Sequence, residues 1–339
     1  IFGGDSGVDG YSTAYSDTYE DLFGEGSFVG KGIINIDQFY DITKQSIKDN
    51  RVLSHDLLEG ALTRCALVTD VELVDGYPPY YEGSCRRLYR WVRGDWQLIG
   101  WLFSKKISFL NKWKIFDNLR RSLLAPDLLL LLIISLSDSM KNRQIALLCF
   151  LVFIMPLVFT VTDFVVTPKN RLMGAFKTFK QIILIISFIP YEAFLMVKAI
   201  GTTLFRLIFS KRNLLEWQSS HFADKSVKND LKSYVLRMWF APVMGIFIFL
   251  IALNDSVGVW IYSLIPAVLW ICSPYTAFYI SKDIKDEKQT IANEAGNNPE
   301  LAQWLAQEIQ NPISINEIAR LVGNDTALAS NVYLAARLV

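Results

Sequence analysis

Leu128-Leu129-Leu130-Leu131-Leu132-Ile133-Ile134 forms the centre of an apolar run from about Leu123 to Ser137. A helix needs about 20 such residues to cross hydrocarbon, so a run this short must tilt or borrow from its flanks. On its N-terminal side Lys105, Lys106, Lys112, Lys114, Arg120 and Arg121 interleave with Trp101, Phe103, Phe109, Trp113 and Phe116. Basic and aromatic residues at helical spacing, directly before an apolar run, predict an amphipathic helix over 101–122 at a membrane interface. A solvated surface helix is the plainer alternative.

Outward from that point, Ile145 to Val161, Met238 to Leu253 and Val257 to Ile280 are further apolar runs, giving four expected spans within 123–280. Ile182 to Phe209 is also apolar but carries Pro190, Glu192, Lys198 and Arg206. Ionisable groups are costly in hydrocarbon, which places this stretch at the interface, with a fifth span as the alternative. Under the four-span count the basic clusters Lys105–Arg121, Lys169–Lys180, Lys211–Arg212, Lys225–Arg237 and Lys282–Lys288 share one side. The positive-inside rule then sets residues 1–100 of a multi-pass chain in the cytoplasm.

Composition agrees with a mixed chain. Of 339 residues 52% are hydrophobic, yet 20% are charged, and the mean hydropathy is +0.27. The net charge of +1 supplies no overall field for nucleic acid, so none is expected as a partner; the lipid bilayer is. The four cysteines (Cys65, Cys85, Cys149, Cys272) form no C-x-x-C pair, which argues against a disulfide framework and for a reducing compartment around the soluble part. With only His55 and His221 as histidines, a histidine-rich metal site is not expected. The opening Ile1-Phe2-Gly3-Gly4, with neither initiator Met nor signal-peptide pattern, is expected of a piece of a longer polypeptide.

Residues 1–100 read as an α/β segment. Ser27-Phe28-Val29-Gly30-Lys31-Gly32-Ile33-Ile34 predicts a strand whose glycines mark a bulge or a close backbone approach. A helix follows from Asp37 to about Lys48, then a short strand at Arg51-Val52-Leu53. Ser54 is a plausible N-cap for a helix from His55 to about Ala66, and Leu67 to Leu73 returns as a strand. Alternating strands and helices favour an α/β domain. Beyond Ile280 the chain turns polar and helix-prone around 291–294, 301–309 and 315–321, and this 281–339 tail offers no chemistry.

Two clusters could carry chemistry. In Leu53-Ser54-His55-Asp56-Leu57-Leu58-Glu59-Gly60, a carboxylate at a strand end opens a helix, where α/β enzymes place reactive groups. Ionised, Asp56 could take a proton from a hydroxyl nucleophile; equally, an acid in a first helical turn is favoured by the dipole alone. In Arg86-Arg87-Leu88-Tyr89-Arg90-Trp91-Val92-Arg93-Gly94-Asp95-Trp96-Gln97, guanidinium groups suit diphosphate oxygens and indoles suit sugar faces. Anionic lipid at the interface is an equal reading of the same arginines.

Together these blocks resemble the processive glycosyltransferases of the GT-A fold, with Ser54-His55-Asp56 in place of their T-E-D motif and Arg87-Leu88-Tyr89-Arg90-Trp91 in place of Q-x-x-R-W. Arg87 stands where that motif has Gln. The chain is most similar to cyclic β-1,2-glucan synthases, through Asp21–Ile33, Leu53–Gly60, Arg90–Gln97, Trp113–Ser122, Leu214-Leu215-Glu216-Trp217 and Ser273-Pro274. The resemblance implies a partial GT-A-type glucosyltransferase domain over 1–100, followed by membrane helices in a bacterial inner membrane. It implies UDP-glucose as donor, a glucan acceptor, a divalent metal (Mg or Mn) and inverting displacement at C1. Asp56 would be the general base, with Arg87, Arg90, Trp91, Arg93, Asp95 and Trp96 binding substrate. The family's D-x-D metal motif is not in this sequence, so the chain alone is expected to be inactive. Other readings are a different processive synthase, of the osmoregulated periplasmic glucan or cellulose type, and a non-catalytic transporter or scaffold. The last predicts charged residues facing one another inside the spans.

Overall fold

The computed structural model describes residues 17–30, 32–47, 51–52, 55–68, 78, 80–137, 144–145, 148–149, 151–152, 171–215, 229–253 and 259–281. They divide into two compact units, Ile1–Ala277 and Phe278–Val339; the helices predicted around 291–294, 301–309 and 315–321 lie outside the described residues. Three short helices come first: α1 (Thr18–Phe23), α2 (Ile36–Lys44) and α3 (Asp56–Thr63). Longer ones follow: α4 (Tyr81–Gln97), a 3-10 turn (Ile99–Phe103), α5 (Phe109–Ser137), and α6 (Arg171–Phe205) continued by a π turn (Arg206–Ser210). The last are α7 (Leu231–Arg237), α8 (Phe240–Leu253) and α9 (Val259–Ile280).

The α/β expectation is corrected. Among the described residues the chain is helical, with an isolated bridge at Asp17 and no sheet, and no GT-A-type domain is formed. Of the predicted strands, 27–30 and 32–34 are irregular backbone or bend, 51–52 is turn and bend, and 67–68 is irregular, while 31, 53 and 69–73 lie outside the described residues. The physical reason is where the backbone polar groups go. One backbone bond joins the two segments, from the Gly26 amide to the Cys65 carbonyl at 3.1 Å, and side chains take up the neighbouring groups. Asp17 caps α1 by accepting from the Tyr19 amide at 2.9 Å and also accepts from the Ser27 amide at 2.7 Å. The Glu20 carboxylate accepts from the Leu67 amide at 2.6 Å. Lys114 Nζ donates to the carbonyls of Gly26 at 3.0 Å and Glu25 at 3.3 Å. With those groups satisfied there is no ladder to extend, and Ile33 and Ile34 stay exposed, at 96% and 44%. The helix predictions fare better: α2 begins within a residue of its expected start, capped by Asn35 accepting from the Gln38 amide. At α3 the N-cap is His55, not Ser54.

The longer helices pack around α6. Leu129 of α5, Ile189 and Ala193 of α6, Ile248 of α8, and Ala267 and Trp270 of α9 form one buried cluster. Two prolines shape it. Pro190 inside α6 has no N–H to give to the carbonyl four residues back, that of Ile186. The fully buried Trp270 supplies the missing donor across the helix contact, Nε1 to the Ile186 oxygen at 2.9 Å. Pro274 frees the carbonyl of Trp270 itself in the same way, and Ser273 Oγ donates to it at 2.8 Å. In an apolar surrounding each orphaned carbonyl would be expensive, so proline in such helices needs this kind of rescue. Close approach of α8 to α9 depends on Gly245, where a Cβ would sit 2.8 Å from the Ala267 carbonyl oxygen.

Thr178–Ser210 and Ser263–Ile280 are long and apolar enough to cross a membrane. Leu231–Arg237 with Phe240–Ile251, bent by 62°, makes a third if the pair is one span. The stretch the sequence set at the interface, 182–209, is thus the longest of these. The Leu123–Ser137 run is the second half of α5 and does not meet that test, and Ile145–Val161 is described only at residues 145, 148–149 and 151–152. The α6–α9 contact yields a prediction. Trp270→Phe removes the donor and should lower stability by about 1–3 kcal/mol, read by denaturant titration of the protein in detergent. Pro190→Ala restores the backbone donor, so Trp270→Phe should cost less in that background. Equal costs in both backgrounds would show that Trp270 acts by packing alone.

Candidate functional site

Asp56 is the first residue of α3, preceded by His55 in extended backbone. Its carboxylate lies against Gly30, whose φ of +84° and missing side chain are both required there. A Cβ at position 30 would be 2.6 Å from Oδ2. The glycine stretch therefore makes the close backbone approach its sequence implied, and it makes it to Asp56. Burial pushes the Asp56 carboxyl above its ordinary value; the positive charge of His55 pulls it back and Glu59 pushes it up further. A carboxyl held in this way stays a stronger base than a solvated one.

The His55 ring turns to α4, its Nε2 3.2 Å from Asp95 Oδ1. The same oxygen accepts from Asn118 Nδ2 on α5 at 3.0 Å. Gly94 makes room for the ring, since a Cβ there would lie 3.0 Å from His55 Cδ2. Leu58 of α3 is buried with Leu98, Ile107, Ile115 and Leu119, which anchors α3 on the turn after α4 and on α5.

At 3.6 residues per turn, the arginine and tryptophan cluster spreads over three faces of α4. The inner face carries Val92, with Leu88 and Trp96, against Met196 and Ala199 of α6. Trp96 Nε1 donates to Ser122 Oγ at 2.9 Å. A second face pairs Arg87 with Trp91, the guanidinium 4.5 Å from the ring centroid, and Trp91 stays 47% exposed. A third carries Arg86, Arg90 and Arg93. Arg93 Nη2 reaches the Asn213 carbonyl at 3.4 Å, and Gln97 Nε2 donates to the Leu214 carbonyl at 2.8 Å, tying the turn after α6 to α4. The structure thus brings Asp95 to His55 and the Asp56 end of α3, joins Arg87 to Trp91, and sets Arg93 and Trp96 into contacts with neighbouring elements.

Glu82, Tyr81 and Cys85 carry no site prediction from sequence, yet all three are buried at the start of α4. Glu82 Oε1 pairs with Arg86 Nε at 3.0 Å and Arg237 Nη1 of α7 at 3.5 Å, and Oε2 accepts from the Tyr191 hydroxyl at 3.4 Å. Tyr81 stacks on Phe188, ring centroids 4.2 Å apart. Burial pushes the Tyr81 phenol and Cys85 thiol well above their ordinary values, which leaves both neutral and the thiol unreactive. The signal in the sequence was an acid four residues before Arg86, as expected of a helical ion pair.

Among the described residues no group of three or more His, Cys, Asp or Glu side chains gathers where a metal ion could be held. Residues 284–339 match a family described as "Protein of unknown function (DUF533)". Cyclic beta-(1,2)-glucan synthase NdvB of Rhizobium meliloti (strain 1021) is 34% identical to the chain over 308 residues, 87% of this chain. The chain spans 11% of that protein's length. By this match the chain is homologous to a segment of a cyclic β-(1,2)-glucan synthase.

Proposed function

We propose that the chain serves glucosyl transfer from UDP-glucose to a growing β-1,2-glucan, in a processive, membrane-bound synthase of the bacterial inner membrane. The observation that carries the reading is the 34% identity to NdvB in a chain that seats Asp56 at the start of a helix, its carboxylate against Gly30. Asp56 takes the proton from the acceptor hydroxyl as that oxygen attacks C1 of the donor glucose. The C1–diphosphate bond breaks from the opposite face and UDP leaves. Arg87, Arg90 and Trp91 hold the diphosphate and the acceptor sugar; Arg93, Asp95 and Trp96 keep that helix face in register through Asn213, His55 with Asn118, and Ser122. A divalent metal (Mg or Mn) would neutralise diphosphate charge when bound, its ligands coming from a part of the synthase outside this chain. Phe109, Trp113 and Phe116 form an exposed stripe on α5 with Lys105, Lys106 and Arg120 beside it, which supports a bilayer-facing position for 101–122 and a cytoplasmic one for 1–100.

The test is made on the full-length protein in native membranes, with radiolabelled UDP-glucose and a divalent metal. Asp56→Asn should lower glucan synthesis by at least about a hundredfold, the scale of a lost general base; wild-type activity in this variant removes Asp56 from the role. Linkage of the labelled product separates β-1,2-glucan from an osmoregulated periplasmic or cellulose-type glucan. The pH profile follows from the raised Asp56 value. A base works only ionised, so kcat/KM should hold above that value and fall as pH drops through it. The acid limb should therefore lie above the ordinary aspartate value of about 3.9.

A transporter or scaffold is favoured by one observation, the Glu82–Arg237–Tyr191 cluster beside the Thr178–Ser210 helix. Glu82→Gln discriminates. If the cluster is structural, breaking it costs about 3 kcal/mol, so folded protein in membranes falls while glucan synthesis per folded molecule is kept. Normal protein levels with substrate flux abolished would favour transport.

A further inference from the structure

Helix α3 begins in an unusual way. N-caps are ordinarily Ser, Thr, Asp or Asn, whose oxygens accept from the first free amides. Here the cap is His55, with φ −135° and no side-chain capping bond. Its ring instead crosses to α4, where Asp95 Oδ1 lies 3.2 Å from Nε2 and Asn118 holds the same oxygen from α5 at 3.0 Å. The two side chains are only 14% and 15% exposed. Gly94 leaves the space the ring fills, and Gly30 closes on the Asp56 carboxylate from the other side.

We propose that His55 is a positioning residue: clamped by Asp95 and Asn118 against the bare backbone of Gly94, it fixes the start of α3 and so aims the Asp56 carboxylate. This rests on reading Asp56 as the base. The peptide between His55 and Asp56 transmits the clamp, so a ring that swings free lets the carboxylate drift from the acceptor hydroxyl. Misplacement of a reacting group by about 1 Å costs about a hundredfold in rate. The clamp also has an electrostatic side. The ionisable groups facing Asp56 are His55 and Glu59 of its own helix; Asp95 from α4 and the neutral Asn118 from α5 face His55. The clamp uses one ring nitrogen. Nδ1 is buried and has no hydrogen-bond partner among the described residues, so a glutamine amide, which offers one polar end at about the same reach, can replace the contact.

The experiment compares wild type, Asp56→Asn, His55→Ala, His55→Gln and Asp95→Asn in the full-length protein in native membranes, measuring kcat and the KM for UDP-glucose. His55→Ala should lower kcat by about 10- to 100-fold with KM within about twofold, and His55→Gln should recover most of kcat. Asp95→Asn should fall between His55→Ala and wild type. Wild-type kcat in His55→Ala, or no recovery in His55→Gln, overturns the positioning role. If His55→Ala does not accumulate, Asp95→Asn decides: kcat and KM both at wild-type values there overturn the role. Full activity of Asp56→Asn instead overturns the base reading, and the positioning role with it; loss of activity in Asp56→Asn beside a wild-type His55→Ala overturns the positioning role only.

Discussion

The indole of Trp270, reaching across to the carbonyl that Pro190 leaves without a partner, is the contact on which the helical body depends. A proline inside a helix removes one hydrogen bond and bends the axis, and in apolar surroundings the freed oxygen has no water to turn to. Trp270 answers both problems at once. Its ring fills the space between α5, α6, α8 and α9, and its N–H closes the gap in α6. Because α6 then has a fixed course, the surface of Met196 and Ala199 that receives α4 is fixed as well. The position of the arginine helix is inherited from the membrane-type core below it.

From sequence, that hierarchy was only partly visible. Apolar runs gave the later helices near their true places, and Met238–Leu253 and Val257–Ile280 correspond closely to α8 and α9. The stretch 182–209 was set at the interface because Glu192, Lys198 and Arg206 counted against a span. In the structure Arg206 donates to the Asn213 carbonyl at the helix end, and the helix is long and apolar enough to cross a membrane. Hydropathy weighs residues singly, whereas a packed helix places each of them at a particular depth and angle.

The α/β reading failed for a related reason. Val29, Ile33 and Ile34 have the β-branched, alternating look of a strand, but β propensity is largely the fit of a side chain to a sheet that already exists. Here Asp17, Glu20 and Lys114 take the backbone groups that a neighbouring strand would need. None of those pairings follows a local period, so no window of sequence reveals them. The glycines did speak correctly: Gly30 marks the point where backbone touches the Asp56 carboxylate. The arginine cluster was legible as a cluster but not as a surface, because helical turn separates Arg87 and Trp91 from Arg86, Arg90 and Arg93. Glu82 stayed hidden because its partners Tyr191 and Arg237 lie far along the chain.

The two halves of the candidate site are held by different forces, and this bears on how the site can work. On one side α4 rests its inner face on α6 and braces the turn after α6 through Arg93 and Gln97, so displacing it would disturb packed apolar surface. On the other side Asp56 is located by the contact with Gly30, the one imidazole bond to Asp95, and the seating of Leu58. Local stability follows the density of buried contacts. The arginine face is therefore the fixed wall, while the carboxylate side is adjusted by a few polar groups. A change at Gly30 or His55 thus acts on the seat of Asp56 while the apolar seating of α4 on α6 stays intact.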